Sequence, residues 1–206
     1  MPETVTALAT LVFLAVLVRT AWLSDDALIT LRTVLNVTHG FGLRFNIAER
    51  VQTFTHPLWL GLLTAAYYLT ANVYFAAFLS SILLSVLAFW MAITRAASGW
   101  QAAVVVIVLF FSRAFVDFST SGLENPLSYV LLALFVGIFA GTEGGPAARS
   151  PRRALTLLWT IASLLYLTRP DEILLVAPML ALGSWRLRQQ AGLLRPAIVG
   201  LLPAAA

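Results

Sequence analysis

The stretch from Trp22 to Gly42, WLSDDALITLRTVLNVTHGFG, places two adjacent aspartates directly after a long apolar run. Ser24 followed by Asp25 and Asp26 predicts the start of a helix, because serine caps a helix and acidic side chains favour its positive end. A carboxylate at the rim of a membrane is also available as a base or as an ion ligand. The residues alone therefore favour neither helix capping nor a catalytic or ion-binding role for the two aspartates.

The residues after the aspartates predict a helix that lies along a membrane surface with one apolar stripe. Glycine after His39 is expected to end this helix in a left-handed cap. Beyond it, 43–46 and 50–54 predict short extended pieces around a turn. The stripe consists of Leu28, Leu31, Leu35 and Thr38, at spacings of three and four.

The composition is that of a helical membrane protein. Hydrophobic residues make up 60% of the chain, mean hydropathy is +0.90, and charged residues are 11%, against about 25% in ordinary globular proteins. The absence of cysteine excludes disulfides and thiolate metal sites. All 13 basic residues are arginines that stand between apolar blocks, which favours a role in membrane orientation over nucleic-acid binding.

The apolar blocks predict an all-α polytopic membrane protein. The first block is expected to be an uncleaved transmembrane helix, because no basic residue precedes it and no small-residue cleavage site follows it. The last block has barely begun when the sequence stops, so we expect the chain to be the N-terminal part of a longer protein. The blocks are 6–23, 57–70, 73–94, 101–115, 127–140, 154–168, 173–185 and 196 onward.

The arginines predict the orientation of these blocks. If 57–70 lies at the surface or re-enters instead of crossing, six arginines between the blocks share one side, which is then cytoplasmic. Arg32, Arg44, Arg50 and Arg169 lie on the other side, alongside acids. The loop 24–72, the segment 116–126 and the turn 169–172 then share the outer face. The cytoplasmic arginines in this scheme are Arg95, Arg149, Arg152, Arg153, Arg186 and Arg188.

Two further outer segments carry acids that could serve either a fold or a reaction. Asp117 and Glu124 lie in VDFSTSGLENP, where capping and a solvated loop are the simpler interpretation. Arg169 stands beside Asp171 in LTRPDE, where an internal ion pair is equally expected. Outer segments that carry both acidic and basic residues are as typical of a functional site as of a simple connecting loop.

A metal site is weakly indicated. His39 and His56 could join the aspartates around a divalent cation, so a divalent cation is kept as a possible cofactor. Neither histidine shows a spacing typical of metal ligands, such as HxH or HExxH. No metal ligand is therefore assigned from the sequence.

Three stretches resemble one family of membrane enzymes. They are SDDALITLRTVLNVTHGFGLRFNIAERVQTFTHPLW (24–59), DFSTSGLENPL (117–127) and LTRPDEILL (167–175). They resemble the GT-C superfamily of membrane glycosyltransferases that use polyprenyl-phosphate sugars, and in particular the actinobacterial arabinofuranosyltransferases that complete cell-wall arabinan. The THPLW form at 55–59 is also associated with the broader bacterial set, so the resemblance leaves the sugar open.

The resemblance implies a GT-C-like transmembrane helix bundle formed by 1–206, in the bacterial plasma membrane, with its active site outside the cytoplasm. It implies 24–72 as a first extracytoplasmic loop with juxtamembrane helices and 116–126 as a second. The implied reaction is inverting transfer of a sugar, with arabinofuranose as one candidate, to a cell-envelope glycan during cell wall biogenesis.

The same resemblance implies roles for individual residues. Asp25 or Asp26 is the expected catalytic base. Cations at headgroup depth would bind the donor phosphate, with Arg169, Arg32 and Arg113 as candidates. The expected supporting residues are Glu124, Asp117, Asp171 and His56.

The alternative is a transporter or flippase subunit for a lipid-linked envelope precursor. Such a protein is expected to carry ionisable residues in the middle of its helices. In this sequence the acids lie at the outer ends of the apolar blocks, which favours an enzyme. The expected partners are the lipid-linked sugar, a glycan acceptor and the bilayer, with no nucleic acid.

Overall fold

The computed structural model describes residues 3–49, 51–144 and 150–205. Of the residues named above, Arg50 and Arg149 lie outside these ranges. The chain is 78% helix, and the described residues contain no strand, so the all-helical prediction is confirmed. A 3₁₀ turn spans Pro170–Glu172. The α-helices are α1 Glu3–Thr20, α2 Asp25–Thr38, α3 Pro57–Thr70, α4 Val73–Thr94, α5 Gly99–Phe111, α6 Arg113–Phe118, α7 Asn125–Ala140, α8 Pro151–Thr168, α9 Ile173–Ala191 and α10 Leu194–Ala205.

The chain divides into two compact units, Met1–Val130 and Leu131–Ala206. In the first unit α1 packs against α4, α4 also packs against α3 and α5, and α2 packs against α3 and α4. Stacked aromatic rings fill its core. The rings of Phe13 and Phe89 are fully buried, with centroids 4.4 Å apart.

Two helices are long and apolar enough to cross a membrane by length and composition. They are α1, with a mean hydropathy of 1.6, and α4, with a mean hydropathy of 2.2. The predicted single block 101–115 is wrong, because the chain breaks into α5 and α6 at Ser112. The Ser112 hydroxyl accepts a hydrogen bond from the backbone N–H of Phe115 and so starts a new helix. The 13-residue α5 is short against the roughly 20 residues of a spanning helix.

The block expected not to cross forms α3, which packs along α4. The two helices are joined by a tight turn in which Ala71 has φ of +52° and the Asn72 side chain caps α4. This hairpin covers Trp59, Leu60 and Leu63 on one face of α3. Whether α3 lies at the surface or enters the membrane stays a prediction.

In the second unit α8 packs against α9 and α10. The contact between α8 and α10 needs a glycine. A Cβ added at Gly200 would lie 2.4 Å from the Cβ of Trp159 and 2.9 Å from the backbone nitrogen of Thr160. The core of this unit includes Leu155, Leu158 and Leu165, all fully buried.

The predicted membrane orientation can be tested with two cysteines. The natural sequence has none, and Ala48 and Ala97 are both exposed residues of connecting segments. We expect Ala48→Cys to react with an impermeant thiol reagent from the outside and Ala97→Cys only after the membrane is opened, because Ala97 follows Arg95, which the predicted orientation places in the cytoplasm. Reaction of both from one side would contradict the orientation.

Candidate functional site

The aspartate pair lies in the first turn of α2, as predicted. The Ser24 hydroxyl and the Asp25 carboxylate both accept from the backbone N–H of Asp26, at 3.2 and 3.1 Å. Asp25 therefore braces the turn. The exposed Asp26 carboxylate has no hydrogen bond or ion pair within the part of the chain that the structure describes. The helix end thus presents one engaged carboxylate and one available carboxylate.

The segments 24–72 and 116–126, both predicted to lie outside, meet at this helix end. The backbone N–H of Ser24 donates to the carbonyl of Ser121 at 2.9 Å. The indole N–H of Trp59, a fully buried side chain, donates to the carbonyl of Gly122 at 3.0 Å. From α4, the Ser85 hydroxyl donates to the carbonyl of Ser119 at 3.1 Å. The SGLE motif at residues 121–124 is therefore fixed against the start of α2.

Gly122 is required for this close approach. Its φ of +80° lies in the left-handed region, and a Cβ at this position would lie 2.6 Å from Leu23 Cδ2 and 2.8 Å from Ala27 Cβ. Ala27 belongs to α2 and is fully buried. Any side chain at position 122 would therefore push against the helix that carries the aspartates.

A buried polar cluster joins α2 to both outer segments. His56 Nε2 lies 2.8 Å from the Thr30 hydroxyl, and His56 Nδ1 lies 3.6 Å from a carboxylate oxygen of Glu124. Thr30 follows Asp26 by one helical turn. Glu124 is only 8% exposed, so the expectation of a solvated loop there is wrong. The carboxylate is buried because the second segment folds down onto α2.

The face of α2 that packs inside the protein differs from the predicted apolar stripe, which faces a membrane in that prediction and stays untested. Leu28 is 46% exposed, while the buried face includes two threonines. Thr33 bonds to Ile29 and Thr53, and Thr30 bonds to His56. Hydroxyl groups with hydrogen-bond partners can be buried, so the spacing of apolar residues alone does not show which face of α2 packs against the protein. The buried residues are Ala27, Thr30, Leu31, Thr33 and Val34.

Side chains hold the loop after α2, and the described residues of 43–46 and 51–54 form no paired strand. Whether these pieces are extended stays a prediction. Asn36 donates to the carbonyls of Arg44 and Phe45. Arg32 donates through Nε to the same Phe45 carbonyl at 3.0 Å and lies over the Phe45 ring, 4.4 Å from its centroid. The Arg32 side chain therefore already uses part of its guanidinium group to hold the loop.

The other predicted phosphate ligands are paired with acids. Arg113 lies 3.2 Å from Asp117, and its side chain is 93% exposed. The Asp117 carbonyl accepts from the indole N–H of Trp22 at 2.9 Å. In the second unit, Arg169 contacts Asp171 at 3.1 Å. The expected meeting of Arg169 with the aspartates of α2 stays a prediction, because they belong to different units.

The two histidines have separate surroundings. His39 Nδ1 lies 2.7 Å from the Leu35 carbonyl at the end of α2, whereas His56 faces Thr30 and Glu124. The described residues contain no group of three or more histidine, aspartate or glutamate side chains that could hold a metal ion. A divalent cation therefore stays an untested expectation.

Thr30 and Trp59 were missed by the sequence analysis. A threonine in a helix cannot be identified as a buried polar residue from the sequence unless its hydrogen-bond partner is known. Trp59 follows Pro57 in a short apolar helix, and its indole N–H is the available signal, since a buried indole usually needs an acceptor.

The Trp59 hydrogen bond should contribute to stability. Trp59→Phe leaves the buried Gly122 carbonyl without its donor, which should lower the free energy of unfolding by about 1–3 kcal/mol. Trp22→Phe is the matched control, because it also loses an indole-to-carbonyl bond but at a side chain that is 43% exposed. Its effect should stay within about 0.5 kcal/mol. Equal losses for the two variants in denaturant unfolding would contradict a special role for Trp59.

Comparison with known proteins gives one informative similarity. The chain is similar to a terminal β-(1→2)-arabinofuranosyltransferase of Corynebacterium glutamicum, with 34% identity over an alignment of 130 residues that covers 55% of this chain and 18% of that protein. The chain thus spans less than a fifth of the length of that relative. No family model matches the chain, and no solved structure matches it.

Proposed function

We propose that this chain belongs to a membrane glycosyltransferase that transfers a sugar from a polyprenyl-phosphate donor to a glycan of the cell envelope. The observation that carries the proposal is the 34% identity to an arabinofuranosyltransferase. Arabinofuranose is accordingly the first sugar to test. The joined outer segments support the proposal, because they place an available carboxylate beside a buried polar cluster.

Asp26 is proposed as the catalytic base. As the acceptor hydroxyl approaches the anomeric carbon, the Asp26 carboxylate takes its proton. The acceptor oxygen then forms a bond to the anomeric carbon, and the bond from that carbon to the phosphate oxygen breaks. The polyprenyl phosphate leaves with the electron pair, and a single displacement inverts the anomeric centre. Asp26 is preferred to Asp25 because the Asp25 carboxylate already braces the helix start.

Glu124 and His56 are proposed to hold this base in place. The pair is buried, with side chains 10% and 12% exposed, so it is poorly placed to receive a sugar. Through Thr30 it contacts α2 one turn below Asp26. A catalytic group contributes fully only when its neighbours fix its position.

A cation is proposed to stabilise the leaving phosphate. Arg32 lies on the same helix as Asp26, about 9 Å further along its axis, and its side chain is fixed against Phe45. Arg113 and Arg169 are the other candidates. Each already pairs with an aspartate, so its guanidinium group would have to bind both that aspartate and the phosphate. A positive group close to the phosphate oxygen would stabilise the charge that develops as the bond breaks.

The proposed active site faces away from the cytoplasm. The two apolar helices and the similarity to a glycosyltransferase support a membrane location. A donor with a polyprenyl tail keeps its phosphate at headgroup depth, which explains why the aspartates directly follow an apolar helix. The multi-pass topology is part of this proposal.

The test is transfer by membranes from cells that express the protein, compared with membranes that lack it. They are incubated with a panel of radiolabelled polyprenyl-phosphate sugars, including arabinofuranose, and an envelope glycan acceptor. We expect labelled glycan from one donor and an inverted linkage by NMR. Movement of the labelled donor across the membrane with no labelled glycan would favour a transporter and overturn the proposal.

A further inference from the structure

The second unit contains a cavity of about 710 Å³ where α8 and α10 begin. Sites for small molecules usually measure about 300–1,000 Å³, so the cavity could hold a lipid headgroup. Its lining combines two guanidinium groups and a hydroxyl with an apolar wall. The residues that carry these features are Arg152, Arg195, Thr156, Leu193, Pro196 and Val199.

The described residues that line the cavity carry positive charge only. None of the described residues that line it is acidic. Glu143 and Asp171 of the same unit pair with Arg186 and Arg169, whereas Arg152 and Arg195 form no ion pair within the described residues. A guanidinium group binds phosphate oxygens through two parallel hydrogen bonds. Two such groups at one cavity favour a phosphate over a carboxylate or a neutral ligand.

The apolar wall distinguishes a lipid from a soluble phosphate. Leu193 is 43% exposed and Leu194 is 78% exposed beside the two arginines. Ile198 and Val199 continue this apolar surface along α10, at 62% and 45% exposure. A free phosphate gains nothing from such a surface, while the acyl chains of a phospholipid cover it.

We propose that this cavity binds the phosphate of an anionic phospholipid headgroup, with Arg152 and Arg195 as its ligands. Arg152 is one of the arginines that the predicted orientation assigns to the cytoplasm, and Arg195 lies between the same two apolar blocks as Arg186 and Arg188. On that side basic pockets between helices meet anionic lipids. The site is independent of the proposed sugar transfer, because it lies in the second unit and uses none of the residues around Asp26.

The site can be tested on the purified chain in a neutral detergent by native mass spectrometry. Wild-type protein and five variants are titrated with phosphatidylglycerol, phosphatidylcholine and inorganic phosphate. Removal of one cation should weaken binding of phosphatidylglycerol roughly fivefold. Arg152→Gln and Arg195→Gln are the single variants. The double variant that combines them should bind phosphatidylglycerol roughly 25-fold more weakly. Arg153→Gln is the matched control, since Arg153 is an exposed neighbour that does not line the cavity.

The expected pattern is tight binding of phosphatidylglycerol, weak binding of phosphatidylcholine, and an unchanged affinity for Arg153→Gln. Arg152→Lys should retain most of the affinity, which separates loss of charge from misfolding. If Arg153→Gln lost as much affinity for phosphatidylglycerol, the effect would come from net charge and not from the cavity, and the proposed site would be overturned. Saturation by inorganic phosphate alone, with no advantage for the lipid, would overturn the choice of ligand.

Discussion

Asp26→Asn should slow sugar transfer by roughly 10²–10⁴-fold, the usual contribution of a general base. Asparagine keeps the shape of the side chain and can still serve at a helix start, while it cannot accept the proton of the acceptor hydroxyl. The Asp26 side chain makes no contact that the fold needs among the described residues. We therefore expect normal expression and unfolding, with the loss confined to the rate of transfer.

Asp25→Asn is the matched comparison, since it removes the same charge one residue away. The Asp25 carboxylate accepts from the Asp26 N–H at 3.1 Å and lies 3.3 Å from the Ser24 hydroxyl, so its loss should weaken the turn by at most about 1 kcal/mol. Transfer should then be reduced but not abolished. A larger loss for Asp25→Asn than for Asp26→Asn would reverse the two roles.

Glu49→Gln controls for the net charge of the outer loop. The exposed Glu49 carboxylate accepts only from the side chain of Asn46 among the described hydrogen bonds. Its neutralisation should leave transfer within about twofold, because a single exposed charge far from a reacting atom is largely screened. If the Asn variants at positions 25 and 26 both transfer at the wild-type rate, the two acids are helix caps only.

The start of α2 was predictable because its signals are local. Ser24, Asp25 and Asp26 carry a capping pattern, and the glycine at position 40 adopts the expected left-handed conformation, with φ of +80°. Such preferences act within a few residues of the chain. They identify where a helix begins and ends without any knowledge of its partners.

The polar cluster below the helix start was not predictable in the same way. His56 and Glu124 are far apart in the sequence, and no spacing rule brings an imidazole and a carboxylate together over such a distance. The burial of Thr30 depends on both of them. The sequence named His56 and Glu124 as supporting residues by resemblance, and the structure gives their contact, while their role stays a prediction.

The break at Ser112 shows a limit of hydropathy. The block 101–115 is continuously apolar apart from Gln101, Ser112 and Arg113, and apolar content does not distinguish one helix from two. The hydroxyl of Ser112 decides the outcome by capping α6. A polar residue inside an apolar block is therefore better treated as a possible helix start than as a tolerated exception.

Gly122→Ala should destabilise the first unit by roughly 2–5 kcal/mol. The left-handed conformation costs a residue with a Cβ about 1–2 kcal/mol, and overpacking adds about 1–3 kcal/mol. The Leu23 methyl group can rotate away from the new Cβ. The Cβ of Ala27 cannot, because it is fixed to the backbone of α2 only 2.8 Å away.

The same variant should also lower sugar transfer, because relief of the contact requires α2 to move and α2 carries Asp26. Gly61→Ala is the control, since a Cβ there meets nothing within 4 Å and alanine favours a helix interior by about 1 kcal/mol. Denaturant unfolding in detergent should show opposite shifts for the two variants. Gly122→Ala/Ala27→Gly should recover the part of the loss caused by the Ala27 contact, less about 1 kcal/mol for the glycine placed in α2, but not the conformational part. If Gly122→Ala unfolds like the wild type, the SGLE segment is not fixed against α2, and Asp26 loses the support that its proposed role requires.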